Sequence, residues 1–149
     1  MKTYTLRCFR VDALMCLVHD EREPTSDEWG FYVRELVRAV TEHDVRKLLV
    51  VSQGGGPNAA QRKQLVTSLR PPLNWDVRAL KTAVCTSSPL ARGITVALGW
   101  LSTTNITGFG YEDRRRALDF LGLPVSLHAP VLIAVDAQVG ALAKARNER

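Results

Sequence analysis

Cysteines and long apolar runs are both scarce in this sequence of 149 residues. The three cysteines, Cys8, Cys16 and Cys85, cannot all pair, and no Cys-x-x-Cys motif is present. This argues against a disulfide framework and favours buried free thiols in a reducing compartment. No apolar stretch approaches the roughly 20 residues that cross a bilayer. Residues 1–7 lack the apolar segment of a signal peptide, so we expect a cytoplasmic protein without a membrane span.

Positive charge is not concentrated in any one part of the chain. The 20 Lys and Arg residues exceed the 15 Asp and Glu residues by a formal charge of +5, and they are scattered. The one basic run, at residues 114–116, is partly offset by Glu112, Asp113 and Asp119. A solvated helix face explains such a run, so we expect no nucleic-acid partner. The hydrophobic and charged fractions, 46% and 23%, are those of an ordinary globular domain.

Motifs that identify a catalytic site are also missing. No Gly-x-Ser-x-Gly elbow and no phosphate-binding Gly-x-x-x-x-Gly-Lys-Ser/Thr pattern occurs. Gly54, Gly56 and Ala59 formally match the dinucleotide fingerprint, but they follow the third predicted strand, and no acidic residue ends the next one. Cys85 and Arg92 are one residue too far apart for a phosphatase loop, and one residue turns a helical side chain by about 100°. We therefore predict no catalytic residue, no cofactor and no metal ligand.

The first elements form a predicted hairpin. Residues 4–9 are rich in strand formers, residues 10–12 make a turn, and residues 13–19 form a second, more apolar strand. Strands this close in sequence pair antiparallel, because a parallel crossover needs about a dozen residues or more. The following segment, His-Asp-Glu-Arg-Glu at residues 19–23, is interpreted as a solvated acidic turn.

An amphipathic helix comes next in the chain. Thr25 and Glu28 have the spacing of a capping box. Apolar residues then recur at intervals of three and four from Trp29 to Val40, and the pattern stops near residues 43–44. This periodicity predicts a helix with one buried stripe.

A third strand, a glycine loop and a second helix follow. The run Leu-Leu-Val-Val is continuously apolar, which suits a strand that is covered on both faces. Residues 53–58, Gln-Gly-Gly-Gly-Pro-Asn, then interrupt the chain. Asn58 is a good N-cap for a helix that buries Leu65, Val66 and Leu69.

The rest of the chain continues to alternate between strands and helices. We predict strands at residues 77–85 and 106–109, and helices that open at Ser88-Pro89, span residues 111–121 and span residues 130–146. Residues 131–135 alone would also suit a buried strand. Alternation of this kind implies right-handed crossovers. The predicted fold class is α/β, with a mostly parallel four- to five-stranded sheet that an antiparallel hairpin opens, and with helices packed on it.

The candidate site lies at the strand ends. Ligands of open α/β sheets bind at the carboxyl ends of the strands, where residues 19–23, 52–58 and 86–89 should meet. The glycine loop is the most unusual of these segments, because its backbone can bend freely and the next helix aims N–H groups at it. The candidate partner- or ligand-binding residues are Ser52, Gly54, Gly55, Gly56, Asn58, Gln61, Ser87 and Ser88.

This order of elements resembles that of STAS domains, which are named for sulfate transporters and anti-sigma-factor antagonists. The resemblance rests on the opening hairpin, the helix at residues 27–43, and the strand at residues 45–52 followed by a loop and a helix. The sequence is more similar to the bacterial STAS-like branch that is often grouped with lipid-binding CRAL-TRIO proteins. The resemblance covers most of residues 3–123, and we expect residues 124–149 to form a helical extension that packs on the domain or on a partner.

The resemblance implies a non-enzymatic regulatory or adaptor domain that binds a protein partner through the strand-end glycine loop. Antagonist members are switched by phosphorylation of a Ser or Thr at the helix after the third strand, but residues 55–58 carry no hydroxyl here. Two alternatives stay open: a binder of a lipid or other apolar ligand, and a phosphate- or nucleotide-binding enzyme at the glycine loop. A homodimer formed through the apolar stripe at residues 131–142 is also left open.

Overall fold

The computed structural model describes residues 4–88 and 105–147. Its strands are β1 (Leu6–Val11), β2 (Leu14–His19), β3 (Lys47–Ser52), β4 (Lys81–Thr86) and β5 (Asn105–Gly110). The α-helices of these ranges are α1 (Ser26–His43), α2 (Ala59–Leu69), α3 (Arg114–Phe120) and α4 (His128–Asn147). The strands lie in sequence order in one sheet, in which β1 and β2 pair antiparallel and the other neighbours pair parallel. The predicted fold class is therefore confirmed.

The opening hairpin is tighter than the sequence indicated. β1 begins at Leu6 and continues to Val11, which pairs with Leu14. The turn consequently contains only Asp12 and Ala13, rather than residues 10–12. Asp12 takes the left-handed conformation, with φ 53°, which short polar side chains tolerate best after glycine.

Two later elements begin further along the chain than predicted. β4 starts at Lys81, because Val77–Ala79 forms a 3₁₀ turn in which the Asp76 side chain accepts a hydrogen bond from the amide two residues on (3.1 Å). α3 starts at Arg114, because residues 110–113 form a hydrogen-bonded turn (3.0 Å) after β5. The helix predicted to open at Ser88-Pro89 lies outside the described residues.

α1 begins with the predicted capping box. The Glu28 amide donates to the Thr25 hydroxyl oxygen (3.2 Å), and the Glu28 carboxylate accepts from the Thr25 amide (3.4 Å). The same carboxylate accepts from the Thr5 amide (2.7 Å), which ties the helix to the entry of β1. The predicted buried stripe is confirmed by its members Trp29, Tyr32, Val33, Leu36 and Val40.

The helices divide between the two faces of the sheet. Strand side chains alternate between these faces. One face, named the α1/α2 face, packs Leu17 and Leu48 against α1 and α2. The other, named the α3/α4 face, packs Leu49 and Ala83 against α3 and α4. Two separate hydrophobic cores therefore lie above and below the strands.

α4 confirms the predicted terminal helix and starts two residues earlier, at His128. Within the described ranges, Val125–Asn147 is long and apolar enough, by length and composition alone, to cross a membrane. Val131 and Val135 are nevertheless packed into the core of the α3/α4 face, whereas Ile133 is 71% exposed. Only 22% of the apolar window is buried, and length and composition alone do not show a membrane span, so its absence stays a prediction.

The three cysteines are free, as the sequence indicated. Cys16 and Cys85 are fully buried, and Cys8 is half-buried. Burial raises the pKa of Cys16 and of Cys85 to about 12, and that of Cys8 to about 11. At neutral pH these thiols are protonated, so they behave as small apolar side chains.

Candidate functional site

The carboxyl ends of β2, β3 and β4 meet at one edge of the sheet. His19, Ser52 and Thr86 occupy equivalent register positions in the three strands. The loop after β3 is tied to the end of β2 by a hydrogen bond from the Gly55 amide to the Asp20 carbonyl (2.9 Å). The predicted convergence of the three strand-end segments is therefore confirmed as far as residue 88.

Two of the three glycines in the loop are required by the backbone, each for a different reason. Gly54 has φ 124°, a conformation that other residues rarely adopt. At Gly55, a Cβ atom would lie 2.2 Å from the Arg22 carbonyl oxygen and 2.5 Å from that of Asp20. At Gly56, a Cβ atom would meet nothing within 4 Å. The shape of the backbone thus requires glycine at two of the three positions.

The amide groups of this loop are mostly used within the protein. The Gly54 amide donates to the Ser52 hydroxyl oxygen (3.0 Å), and that hydroxyl donates to the Gly55 carbonyl. The Asn58 amide donates to a glutamine side chain (2.9 Å), and Pro57 has no N–H group. An anion cradle needs free amides that point at the ligand. The geometry therefore gives no support to a phosphate or nucleotide site in the loop.

Asn58 and Gln61 hold the start of α2 in place. The Asn58 side chain accepts a hydrogen bond from the Gln61 amide (2.8 Å), as the sequence predicted for an N-cap. Gln61 donates from Nε2 to the Pro24 carbonyl (3.0 Å), and its own carbonyl accepts from Trp29 Nε1 (2.9 Å). These bonds attach α2 to α1. Both side chains serve the fold, and their role in binding stays a prediction.

A cavity of about 630 Å³ lies between α2 and the α1/α2 face, next to the glycine loop. Val50 and Val84, which are register partners in β3 and β4, line it and are only half-buried. The prediction that α2 buries Leu65, Val66 and Leu69 is confirmed for Leu69 and wrong for the other two, which line the cavity and are half-buried. The reason is that α2 stands over an open space rather than directly on the sheet.

His19, Trp29 and Tyr32 form the most buried wall of the cavity. Their exposures are 1%, 1% and 0%. The ring centroids of His19 and Trp29 are 6.3 Å apart, and those of Trp29 and Tyr32 are 5.1 Å apart. The His19 Nδ1 atom and the Tyr32 hydroxyl are buried, and neither has a hydrogen-bond partner in the described part of the chain. Such unsatisfied groups typically cost about 1–3 kcal/mol each.

These two polar groups are uncharged at neutral pH. Burial lowers the pKa of His19 to about 4, although the nearby Glu28 carboxylate acts in the opposite direction. Burial also raises the pKa of Tyr32 well above its ordinary value. A neutral imidazole and a neutral phenol therefore lie buried beside the indole ring.

The solvated acidic turn predicted after β2 is wrong for its first two residues. His19 and Asp20 are 1% and 2% exposed. The Asp20 amide extends the hairpin by donating to the Thr5 carbonyl (2.9 Å), and this pairing draws the residue inward. Its carboxylate is compensated by the Arg22 amide (2.8 Å) and guanidinium (2.5 Å), and the same guanidinium donates to the Tyr4 carbonyl (3.0 Å).

The charged residues of the cavity lining are all basic among the described residues. Arg62, Lys63 and Arg70, all on or directly after α2, line it, and no Asp or Glu does. Arg62 is partly engaged, because it donates to the Pro57 carbonyl (2.9 Å). Across residues 4–88 and 105–147, no group of three or more His, Cys, Asp or Glu side chains could hold a metal ion. The cavity is thus an apolar space with a positive margin.

The predicted site residues are distributed unevenly around this cavity. Asn58 and Gln61 lie beside it at the start of α2, and Ser87 is exposed. Those that line it are Ser52, Gly54, Gly55, Gly56 and Ser88.

Sequence reasoning missed the sheet surface that forms one side of the cavity. In β4, Thr82, Val84 and Thr86 line it, whereas Ala83 and Cys85 face the other core. The signal was present in the alternation, because two threonines on one face of an interior strand are unusual for a packed core. The prediction of a strand at residues 77–85 did not distinguish its two faces.

A comparison with solved structures finds the same fold in another protein. One matching structure is a crystal structure at 2.25 Å resolution of an uncharacterized DUF3478-family protein with a SpoIIAA-like fold, from Shewanella loihica PV-4. It has a TM-score of 0.53 and 17% sequence identity, and the match covers 78% of this chain and 91% of that chain. No family model and no curated protein matches the sequence. The chain therefore has a SpoIIAA-like, that is STAS-like, fold, as the sequence resemblance implied.

Proposed function

We propose that this protein is a non-enzymatic binding domain that takes an apolar or amphipathic small molecule into the cavity under α2. The observation that carries the proposal is the half-burial of Val50 and Val84. Both lie in interior strands of the sheet and line the cavity. Their neighbours Leu49 and Ala83, on the other face, are 0% exposed. The interior of the sheet thus offers apolar surface on one side only.

The size and chemistry of the cavity support this proposal. Sites for small molecules are typically about 300–1,000 Å³, mostly apolar, with a few polar groups that orient the ligand. The volume of about 630 Å³ lies within that range. Leu17, Leu48 and Leu65 supply apolar walls, and Thr82 supplies a polar group on the sheet.

The charges of the lining select among amphipathic molecules. Arg62, Lys63 and Arg70 raise the potential at the α2 side of the cavity. A cationic amphiphile would be repelled there, and burial of its charge away from water would be costly. We therefore expect neutral or anionic ligands.

The polar groups fit binding better than a reaction. The Ser52 hydroxyl is held by the Gly55 carbonyl, so it is not paired with a base that could activate it. His19 has no orienting carboxylate on its Nδ1. A nucleophile that is joined to a base and an orienting group is the arrangement that hydrolytic catalysis requires. This is why the proposal includes no reaction.

The experiment is to fill the cavity and measure the binding of a fluorescent fatty-acid analogue. Val84→Phe places a ring in the cavity from the interior of the sheet, and we expect it to weaken binding at least 10-fold. The matched control is Ile133→Phe, because Ile133 is 71% exposed on α4, away from the cavity. The control should bind like the wild type, and thermal unfolding should show that both variants fold.

The proposal is contradicted if the wild-type protein does not bind the probe. It is equally contradicted if folded Val84→Phe binds as tightly as Ile133→Phe. Native mass spectrometry of the protein as purified offers a second measurement, in which a co-purified small molecule should be present in the wild type and absent from Val84→Phe.

A second candidate function is the regulatory or adaptor role, in which a protein partner docks on the glycine loop. Gly54, Ala59 and Ala60 are exposed there, and such small residues let a partner approach closely. Asn58 is unsuitable for a test, since its replacement would remove the cap of α2. Ala60→Arg adds bulk beside the loop and leaves the cap intact. If this variant retains every partner that the wild-type protein co-purifies, the adaptor role of this surface is refuted.

A further inference from the structure

We propose that the ligand of the cavity is an anionic amphiphile whose carboxylate head group pairs with Arg62, while its apolar tail lies between α2 and the sheet. This inference rests on the proposed function and names the class of ligand and the position of its charge. It narrows the expected ligands from neutral or anionic molecules to anionic ones.

The first step of the argument concerns the acidic residues, which are nearly absent from the part of the chain that forms most of the cavity. From residue 45 to residue 111 the sequence has only one Asp or Glu, Asp76, and its carboxylate pairs with Arg78 (3.0 Å). The same span holds eight Lys and Arg residues, and it contributes β3, α2, β4 and β5. These elements therefore surround the cavity with an excess of positive charge.

Acidic residues of the neighbouring elements do not offset this excess at the cavity. Asp20 follows β2 and pairs with Arg22 (2.5 Å). Glu28 of α1 accepts hydrogen bonds from the amide and the hydroxyl of Thr5 (2.7 and 3.0 Å). Neither Asp20 nor Glu28 lines the cavity. An anionic ligand would therefore meet cations without a facing carboxylate in the described part of the chain.

The second step places one of these cations at the cavity by a specific contact. Arg62 lines the cavity and is half-buried, and its Nη1 atom donates to the Pro57 carbonyl oxygen (2.9 Å). Pro57 also lines the cavity, so this bond keeps the guanidinium at the end that adjoins the glycine loop. No ion pair joins Arg62 to a carboxylate among the described residues. A guanidinium has five N–H donors, so donors remain for a ligand.

The third step distinguishes Arg62 from the other two cations of the lining. Lys63 and Arg70 are exposed, so water and salt screen their charges. Arg62 lies near the N-terminus of α2, where the helix dipole favours an anion, whereas Arg70 is the C-cap, where the dipole disfavours one. The two arginines are eight residues apart, which is about 12 Å along a helix. A head group at Arg62 is therefore separate from Arg70.

The fourth step selects a carboxylate among anionic head groups. The planar fork of a guanidinium matches the two oxygens of a carboxylate. A phosphate has a third oxygen and a larger charge, and it typically needs backbone amides as well. The Gly54 and Asn58 amides beside Arg62 already donate to side chains of the protein (3.0 and 2.9 Å). A carboxylate needs fewer donors and suits the single arginine better.

The experiment titrates decanoate and 1-decanol into the wild type and into Arg62→Gln by calorimetry. The two compounds have the same number of carbon atoms, and only decanoate is charged. We expect Arg62→Gln to bind decanoate about 10-fold more weakly than the wild type, because it loses the charge-assisted hydrogen bonds of the guanidinium. Its affinity for 1-decanol should stay within about 2-fold of the wild type, since that ligand carries no charge.

Two matched variants control for net charge and for position. Arg115→Gln removes an exposed charge from α3, away from the cavity, and should bind decanoate like the wild type. Arg70→Gln removes an exposed charge from the other end of α2 and should weaken decanoate by less than about 3-fold. A loss in Arg70→Gln as large as that in Arg62→Gln would overturn the position of the head group. Tighter binding of decyl phosphate than of decanoate would overturn the choice of a carboxylate.

The outcomes separate this inference from the proposed function. If the wild type binds both compounds and Arg62→Gln changes neither or both equally, the pairing with Arg62 is refuted and the binding function stands. If the wild type binds neither compound and does not bind the fluorescent fatty-acid analogue, the binding function itself fails.

A second measurement avoids any change in the protein. Salt weakens the attraction between opposite charges, whereas it does not weaken the burial of apolar surface. We expect the affinity of the wild type for decanoate to fall several-fold between low-salt buffer and about 0.5 M NaCl, and its affinity for 1-decanol not to fall. Equal salt dependence of the two compounds would overturn the inference even if Arg62→Gln did not fold.

Discussion

The two faces of the sheet are built from neighbouring residues of the same strands, but they are packed very differently. On the α3/α4 face, Ala83 and Cys85 are 0% exposed and pack against Leu118 of α3. On the α1/α2 face, Val84 lies between them in the sequence and is half-buried beside a cavity of about 630 Å³. One face therefore has close packing, and the other combines apolar surface with open space.

Under the proposed function, this difference assigns binding to the open part of one face. Close packing stabilises the folded state mainly by removing apolar surface area from water. A binding surface must leave some of that area uncovered until the ligand arrives. Both sides of the sheet carry buried polar atoms without a partner in the described residues: His19 Nδ1 and the Tyr32 hydroxyl on the α1/α2 side, and Arg114 Nε on the α3/α4 side. Both faces carry a buried core, and under the proposed function the ligand binds at the open part of the α1/α2 face.

The largest expected effect is a difference in unfolding free energy between two leucine-to-alanine variants, one on each side of the sheet. Leu118→Ala removes a side chain with 0% exposure from the packed core, and we expect it to lower the free energy of unfolding by about 2–5 kcal/mol. Leu65→Ala removes a half-buried side chain that already borders open space, so we expect a loss of about 1 kcal/mol or less. Urea unfolding at equilibrium measures both values.

Equal losses from the two leucine variants would break the comparison. They would mean that Leu65 packs in solution as tightly as Leu118, and that the space beneath α2 is filled. The slope of the free energy against urea should be the same for the two variants, since neither changes the surface exposed on unfolding by much.

The fold was predictable from sequence because its signals are local. The capping box of Thr25 and Glu28, the N-cap at Asn58 and the apolar run of β3 each depend on a few adjacent residues. Those signals gave the order of the elements and therefore the sheet. The start of β4 at Lys81 was not predicted, because a short 3₁₀ turn has no strong sequence pattern.

The cavity was not predictable because it depends on distances between elements. The glycine loop was found from its composition, but the sequence does not reveal that Gly55 packs against the backbone of Arg22. Nor does it reveal that Tyr32, one residue of an ordinary apolar stripe, has an unpaired hydroxyl. His19 was assigned to a solvated turn because polar neighbours follow it, whereas the structure buries it in an aromatic wall.

The second prediction sharpens the comparison through pH. Burial lowers the pKa of His19 to about 4 from an ordinary value near 6.5. Between pH 4 and pH 6.5, the His19 side chain is therefore protonated in the unfolded chain and neutral in the folded protein. This contribution to stability is complete above pH 6.5 and is lost as the pH falls towards 4. At about 1.4 kcal/mol for each pKa unit, the loss is up to about 3 kcal/mol. Urea unfolding at several pH values measures it.

The control for the pH prediction is His19→Leu, which cannot titrate. His43 and His128 remain in this variant, as do the carboxylates, so their effects cancel in the difference between the two proteins. We expect the stability of the wild type to fall more steeply between pH 6.5 and 4 than that of His19→Leu. Parallel curves would show that the imidazole is accessible to solvent in the folded protein.

The smallest expected effect tests the loop that joins the cavity to the end of β2. Gly55→Ala places a Cβ atom 2.2 Å from a backbone carbonyl oxygen, and backbone cannot move aside as a flexible side chain can. We expect a loss of about 1–3 kcal/mol. Gly56→Ala is the matched control, because its Cβ atom meets nothing within 4 Å, and its effect should stay within about 0.5 kcal/mol. Thermal and urea unfolding of both variants decide the matter: if Gly55→Ala is as stable as Gly56→Ala, the loop does not pack on residues 20–22, and the shape assigned to this end of the cavity is wrong.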